Sequence, residues 1–236
     1  MKKNSPSLIL LGALLSGSAY AADADLTDLQ TFAPESKEYK LIYKADLFKG
    51  TDTRGNPIYE VDQSRNFSKD KAERIAYFLR LADTRGGVQR VFVSMKSFTG
   101  NIQEAGIPRM NPKTSFQIEI TDLRVKSDVP GVENGTFEKG NIEFWPTNYM
   151  PHNKKNISGA DDKTFDFGDW MAPNGDYGSM QIHNTAKKQT VMAINNWKSK
   201  QSADLGIGNN SSGNPDWTFT NNAKNYQTAT LLILAK

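Results

Sequence analysis

The heptapeptide GSMQIHN, residues 178–184, alternates apolar and polar side chains from Met180 onward. Successive side chains of an extended strand point to opposite faces, so Met180 and Ile182 share one face while Gln181 and His183 share the other. This alternation predicts a β-strand whose apolar face packs on a core. The opposite face carries an amide and an imidazole, which are groups typical of a binding surface.

The following segment, QTVMAINNW at 189–197, alternates in the same way. It predicts an antiparallel hairpin with the first strand, in which Thr190, Met192 and Ile194 share the apolar face. Amides bond sugar hydroxyls and an indole ring stacks on the C–H face of a sugar, so we expect the other face to bind carbohydrate. The side chains on that predicted surface are Gln181, His183, Asn195 and Trp197.

Short apolar runs separated by Gly, Asn, Asp and Pro recur along the chain. The clearest are YKLIYKADL (39–47), VQRVFVSM (88–95), SFQIEITDLRV (115–125), NIEFW (141–145) and YQTATLLILA (226–235). Many short strands with turn signals predict an all-β fold, an antiparallel β-sandwich of the jelly-roll (concanavalin-like) type.

Three local features refine this prediction. ERIAYFLRLAD at 73–83 fits both helical and strand spacing, but the Gly86-Gly87 pair that follows favours a β-hairpin with 88–95. The apolar register of 115–125 changes after Asp122, which indicates a bulge or bend. A short helical turn is expected near 101–105.

The chain of 236 residues begins with a basic, then apolar, segment that ends in Ala19-Tyr20-Ala21. This is typical of a secretory signal peptide over residues 1–21 and predicts a secreted or periplasmic protein. Removing 21 of the 236 residues leaves 215, and the net charge falls from +3 to +1 with the loss of Lys2 and Lys3. Polar, acidic residues 22–38 predict a flexible N-terminal lead-in before a single β-sandwich domain at 39–236.

Composition excludes several kinds of chemistry. Without cysteine, thiol catalysis and Cys-based zinc sites are impossible, and two histidines do not make a three-His site. GIGNNSSG, residues 206–213, is followed by Asn-Pro-Asp rather than by a helix, so it is not a phosphate loop. A charge of +1 without a long basic cluster does not indicate a nucleic-acid partner, and no second apolar stretch predicts a membrane span.

A resemblance to a known family rests on five segments of the second half of the chain. They are GNIEFWPTNYMPHN (140–153), FDFGDW (165–170), DYGSMQIHN (176–184), AINNW (193–197) and ADLGIGNNSSGNPDWTF (203–219). The chain is similar to the poorly characterised β-rich domain appended C-terminally to secreted sialate O-acetylesterase-like proteins of environmental bacteria. The resemblance covers nearly all of the mature chain. It implies glycan attachment, by association with a sugar esterase whose catalytic domain has no counterpart here.

The tripeptide QIH at 181–183 also resembles the Gln-Ile-His motif of jelly-roll alginate lyases. That resemblance implies a polysaccharide lyase in which Gln181 neutralises the carboxylate of a uronic acid and His183 assists proton abstraction during β-elimination. Tyr177 shares their face and is the candidate acid, with Tyr226 more distant. Arg65 or Arg74 would assist with charge. The Arg-Ser/Thr-Glu-Leu motif of those lyases is absent from the sequence.

The second half of the chain holds the remaining candidates. Aromatic residues there predict a rim or platform for a glycan, formed by Trp145, Tyr149, Trp170 and Trp217. GADDKTFDFGD at 159–169 brings four carboxylates together, and clustered carboxylates suit Ca²⁺. The candidate calcium ligands are Asp161, Asp162, Asp166 and Asp169.

The function expected from these observations is that of a secreted carbohydrate-binding protein that recognises a polysaccharide or glycan. A polysaccharide lyase acting on a uronic-acid polymer is the alternative. An envelope structural or interaction protein is the third class.

Overall fold

A computed structural model describes residues 23–67, 72–107, 116–145, 179–195, 203–208 and 222–236. Those residues form one α-helix, ten β-strands and short 3-10 turns. The helix is α1 (Ala24–Phe32), and the strands are β1 (Lys40–Asp46), β2 (Val61–Asp62), β3 (Arg74–Asp83), β4 (Val88–Lys96), β5 (Phe116–Ser127), β6 (Gly135–Trp145), β7 (Ser179–Asn184), β8 (Gln189–Asn195), β9 (Asp204–Ile207) and β10 (Tyr226–Ala235). No helix of the described ranges is both long enough and apolar enough to cross a bilayer.

The ten strands form one antiparallel sheet in the order β2-β1-β10-β3-β4-β5-β6-β7-β8-β9. The last strand, β10, lies between β1 and β3, so the end of the chain connects these two strands in the sheet. Cα atoms of β9 approach those of β4 within 8 Å although the two strands are five places apart, which means that the sheet folds over itself. The predicted all-β, antiparallel sandwich is confirmed.

One face of the sheet, called here the apolar face, forms a continuous core along nine of these strands. The core includes Tyr77, Val93, Ile142, Ile182 and Ile194, all buried. Alternation produces this face directly, because every second residue of each strand points to it. Burying these side chains is the main favourable contribution to folding.

Helix α1 covers the opposite face of the first half of the sheet. Leu29 is fully buried in a second cluster with Phe78 and Phe92, and Asp23 caps the helix by accepting hydrogen bonds from two backbone N–H groups. Lys44 of β1 binds the Asp23 carboxylate at 2.9 Å. The predicted flexible lead-in over 22–38 is wrong for these residues, because apolar side chains three residues apart give α1 a face that packs on the sheet.

The local predictions for the first half of the chain are confirmed. Residues 74–83 are strand β3 and pair with β4 in a hairpin, and a 3-10 turn spans Ile102–Ala105. Asp122 interrupts β5 with φ of 50° and is not paired with β6, while the register is the same on both sides of it. The positive φ bends the strand at this residue, which explains why Ile120 and Leu123, three residues apart, both face the core.

Buried Arg74 of β3 holds this bend in place. Its guanidinium binds the Asp122 carboxylate and donates to the Asp122 carbonyl oxygen at 2.8 Å, to Ser94 Oγ at 3.1 Å and to Tyr39 Oη at 3.2 Å. Asp122 is partly buried, which opposes ionisation, but hydrogen bonds from Arg124 and Arg74 hold its pKa below the ordinary value. Arg74 is therefore a structural residue in this fold.

Candidate functional site

The second half of the sheet has polar side chains opposite its core. We call this side of β6–β9 the polar face and define it by its residues, Asn141, Glu143, Gln181, His183, Asn195 and Asp204. Each of them is at most 1% exposed. Burial of so many polar groups on one face is unusual, since each costs free energy unless it is hydrogen-bonded.

Strand register places these side chains in rows. His183 of β7 lies opposite Asn141 of β6, and Gln181 lies opposite Glu143. Farther along the sheet, Asn195 of β8 lies opposite Asp204 of β9. Residues directly opposite each other in an antiparallel pair share a face, and so do residues two apart along a strand. The polar side chains therefore lie on one face of β6–β9, with Asn195 and Asp204 one row farther along than Glu143 and Gln181.

Glu143 is the centre of the hydrogen bonds on this face. Its Oε1 accepts from Asn141 Nδ2 at 2.9 Å and from Gln117 Nε2 of β5 at 3.2 Å. Its Oε2 lies 3.9 Å from His183 Nε2. Amide donors from β5 and from β6 itself therefore help to orient this carboxylate.

His183 is held between β6 and β8. Its Nδ1 is 3.2 Å from Thr190 Oγ1, and complete burial lowers the pKa of the imidazole to about 3. The ring is therefore neutral at physiological pH. Neutral imidazole has one nitrogen that donates and one that accepts, so it can bind a hydroxyl group.

The position of Thr190 differs from the prediction that it shares the apolar face with Met192. A register shift between Ile182 and His183 places Thr190 opposite His183, while Ile182 pairs with Met192. This irregularity adds Val191 to the core and brings the threonine hydroxyl to the imidazole. The hairpin and the shared apolar face of Met180, Ile182, Met192 and Ile194 are confirmed.

The backbones of β6 and β7 approach each other closely at Gly140, next to His183. A Cβ atom at Gly140 would lie 2.3 Å from the carbonyl oxygen of His183 and 2.9 Å from Leu123 Cδ2. Only glycine allows β6 and β7 to come together at this point. The backbone that presents His183 is fixed by this contact.

Of the predicted surface, Gln181, His183 and Asn195 do share a face, and Gln181 Nε2 donates to Asn195 Oδ1 at 3.2 Å. The prediction that this face is exposed is wrong, because the three side chains are buried. Several other predicted residues lie outside the described residues. These are Tyr149, Trp170, Tyr177, Trp197, Trp217 and the four aspartates Asp161, Asp162, Asp166 and Asp169. Trp145 is described only as the last residue of β6.

The other residues that would assist a lyase, Tyr226, Arg65 and Arg74, are not on the polar face. Tyr226 packs against the apolar core, with its hydroxyl 3.5 Å from Gln89 Oε1. Arg65 is an exposed residue of the 3-10 turn that follows β2, and Arg74 is bound to Asp122. Within the described part of the chain, no group of three His, Asp or Glu side chains has the geometry of a metal site.

Sequence reasoning missed Asn141, Glu143 and Asp204, and it missed Gln117 of the neighbouring strand. The signal was present in NIEFW, where Asn141 and Glu143 alternate with Ile142 and Phe144 as Gln181 and His183 do with their neighbours. Asp204 alternates with Leu205 in the same way. The sequence did not show that these strands are adjacent, and their adjacency is what brings the polar side chains together on one face.

Comparisons of the chain with protein-family models, with curated proteins and with solved structures found no match.

Proposed function

We propose that this protein binds a polysaccharide or glycan at the polar face. The observation that carries the proposal is the group of amide, carboxylate and imidazole side chains that share one face of β6–β9, on the side of the strands opposite their core. Such groups recognise sugar hydroxyls, since each hydroxyl both donates and accepts. Trp197, two residues beyond Asn195, would add the stacking surface that the sequence predicts.

The contrast between the two halves of the sheet favours a binding role over a structural one. Where α1 covers the sheet, the covered side chains include Phe78, Phe92 and Leu232, which are apolar. A layer with only a structural role is most stable when it is apolar in this way, because buried polar groups gain little net stability. The polar side chains on β6–β9 are better explained by a polar ligand.

Burial sets a condition on binding. The side chains of the polar face are at most 1% exposed, so a ligand contacts them only after this face opens to solvent. The affinity of the site is then reduced by the fraction of molecules that are closed. We therefore expect slow association rather than diffusion-limited binding.

Two sequence features agree with this proposal. The predicted signal peptide would place the protein among extracellular or periplasmic glycans. The resemblance to a domain appended to sugar esterases points to the same class of ligand. A bound Ca²⁺ at the aspartates of 159–169 is a separate proposal, tested by adding a chelator to the binding assay.

A glycan array probed with the mature chain tests the proposal. We expect binding to at least one polysaccharide, with a loss of about 1–3 kcal/mol in Gln181→Ala or Trp197→Ala, the range for losing a buried hydrogen bond or a stacked ring. Gln89→Ala is the matched control, since Gln89 is an exposed glutamine of β4. No binding on the array would contradict the proposal. In that case, a specific protein in a pull-down would indicate an envelope interaction protein.

β-Elimination of a uronate remains the second candidate, because Gln181 and His183 lie on the same face. The low pKa of His183 opposes this activity, since a general base works best with a pKa near the working pH. Incubation with alginate and other uronates would reveal it by unsaturated products that absorb in the near ultraviolet. Product formation that His183→Ala abolishes would make the lyase the correct function.

A further inference from the structure

We infer that the side chain of Asn222 blocks the outer edge of β9 and so prevents this edge from pairing with a strand of a second copy of the protein. The role is that of a contact within the chain that keeps the sheet from extending between molecules. It is independent of glycan binding, because it involves the edge of the sheet and not the polar face.

Strand β9 is the last strand of the sheet in the described part of the chain, and it pairs there with β8. An edge strand presents backbone N–H and C=O groups that can pair with a strand of another molecule. Lysine and proline are common protections of such an edge, and β9 (Asp204–Ile207) contains neither. At the opposite end of the sheet, β2 is only two residues long. The edge of β9 therefore needs another form of protection.

Asn222 binds the backbone of Leu205 as a residue of a neighbouring strand would. Its Oδ1 accepts from the Leu205 N–H at 2.9 Å, and its Nδ2 donates to the Leu205 carbonyl oxygen at 2.8 Å. Two residues in a hydrogen-bonded antiparallel pair exchange the same two kinds of bond. Beside this contact, the Ala223 N–H donates to the carbonyl oxygen of Ala203 at 3.2 Å. Both groups that an incoming strand would use at Leu205 are therefore occupied.

The blocking side chain is anchored by the first half of the sheet. Asn222 begins a 3-10 turn (Asn222–Asn225) that leads directly into β10, and Ala223 of this turn is fully buried in the core. The carbonyl oxygen of Asn225 accepts from the Thr84 N–H, in the turn between β3 and β4, at 3.2 Å. An incoming strand would therefore have to displace a group that is held by the core.

The strand that fits this edge is β9 of a second copy. Two identical edges can pair antiparallel about a two-fold axis, and each then supplies the donors and acceptors that the other needs. Leu205, Gly206 and Ile207 are uncharged, so repulsion between their side chains does not oppose such a pair.

Sedimentation velocity over a concentration series tests this role with Asn222→Ala and Asn222→Asp in the full chain. Alanine removes both hydrogen bonds and leaves an uncharged edge. We therefore expect the average mass of Asn222→Ala to rise with concentration toward that of a dimer. Aspartate keeps an acceptor for the Leu205 N–H and adds a charge at the edge, so Asn222→Asp should stay monomeric, as should the parent protein.

Asn225→Ala is the matched control. It changes an exposed asparagine of the same turn, and the bond from Thr84 to Asn225 uses the backbone carbonyl, which alanine retains. This variant should stay monomeric. Association of Asn225→Ala, of Asn222→Asp or of the parent protein to the same extent as Asn222→Ala would overturn the assigned role of Asn222.

A folded Asn222→Ala variant that stays monomeric at every concentration would also overturn it. If this variant does not unfold cooperatively, hydrogen exchange in the parent protein gives the answer. The Leu205 amide should then exchange as slowly as the amides of β8, which lies between two strands. Rapid exchange at Leu205 would mean that Asn222 does not hold this edge.

Discussion

His183 Nε2 lies 3.9 Å from Glu143 Oε2, across the β6–β7 pair, with both side chains buried. A buried imidazole beside a buried carboxylate is an arrangement that responds to pH. The neutral ring is the folded-state form at physiological pH, because burial opposes its protonation.

We expect this histidine to make the protein less stable as the pH falls below about 6.5, the ordinary pKa of histidine in an unfolded chain. The unfolded chain takes up a proton there, whereas folded His183 does not until its pKa of about 3. Between these values the free energy of unfolding should decrease by about 1.4 kcal/mol per pH unit. Denaturant unfolding at neutral and mildly acidic pH measures this decrease. His183→Gln should show a smaller decrease in the free energy of unfolding. An equal decrease in this variant would contradict the assignment of the pH dependence to His183.

The contact between Arg74 and Asp122 should stabilise the bend in β5. Asp122→Asn removes the charge, while asparagine still tolerates the positive φ, so we expect a loss of about 1–3 kcal/mol in the free energy of unfolding. Because the pKa of Asp122 is lowered in the folded state, this contribution is present above the ordinary aspartate pKa and is lost as the pH falls through the lower, folded value. Arg85→Gln is the control, since Arg85 is 90% exposed and pairs with Asp83 rather than with Asp122, and its effect should be within about 0.5 kcal/mol.

Removing the buried side chain of Leu29 should show that α1 is part of the folded domain. Leu29→Ala is expected to lower the free energy of unfolding by about 2–4 kcal/mol, the range for truncating a buried leucine. Thr31→Ala on the exposed side of α1 should change it by less than about 0.5 kcal/mol. Equal stability of the Leu29→Ala variant and the parent in chemical denaturation would mean that the segment is indeed a flexible lead-in.

Gly140 should tolerate no side chain. Gly140→Ala would push a methyl group against the carbonyl oxygen of His183, so we expect β6 and β7 to separate and the protein to lose more than about 2 kcal/mol of stability. Gly86→Ala, in the β3–β4 turn, meets no atom within 4 Å and should cost only about 1 kcal/mol for its positive φ. Thermal unfolding of both variants gives the comparison. Similar losses in the two would show that the β6–β7 contact is not tight.

Alternation along each strand predicted which side chains form the core, because the period of two is a local property of extended backbone. GSMQIHN and QTVMAIN predicted the correct hairpin and the correct apolar face, and the change of apolar alternation at Asp122 indicated the bend in β5. The predictions were wrong where a segment's structure depends on a second element that packs against it. Residues 24–32 are polar enough to suggest a flexible segment. They form a helix because the side of β3 and β10 opposite the main core is apolar and packs against Leu29.

The sequence by itself determined the all-β class, the strand hairpins and the segregation of Gln181 and His183 from Met180 and Ile182. These depend on neighbours along the chain. Only the tertiary structure decided that Glu143, Asn141 and Asp204 join them on one buried face, and that Thr190 turns toward His183. Adjacency of strands, register shifts and burial all arise from contacts between distant segments, and no local pattern of side chains encodes them.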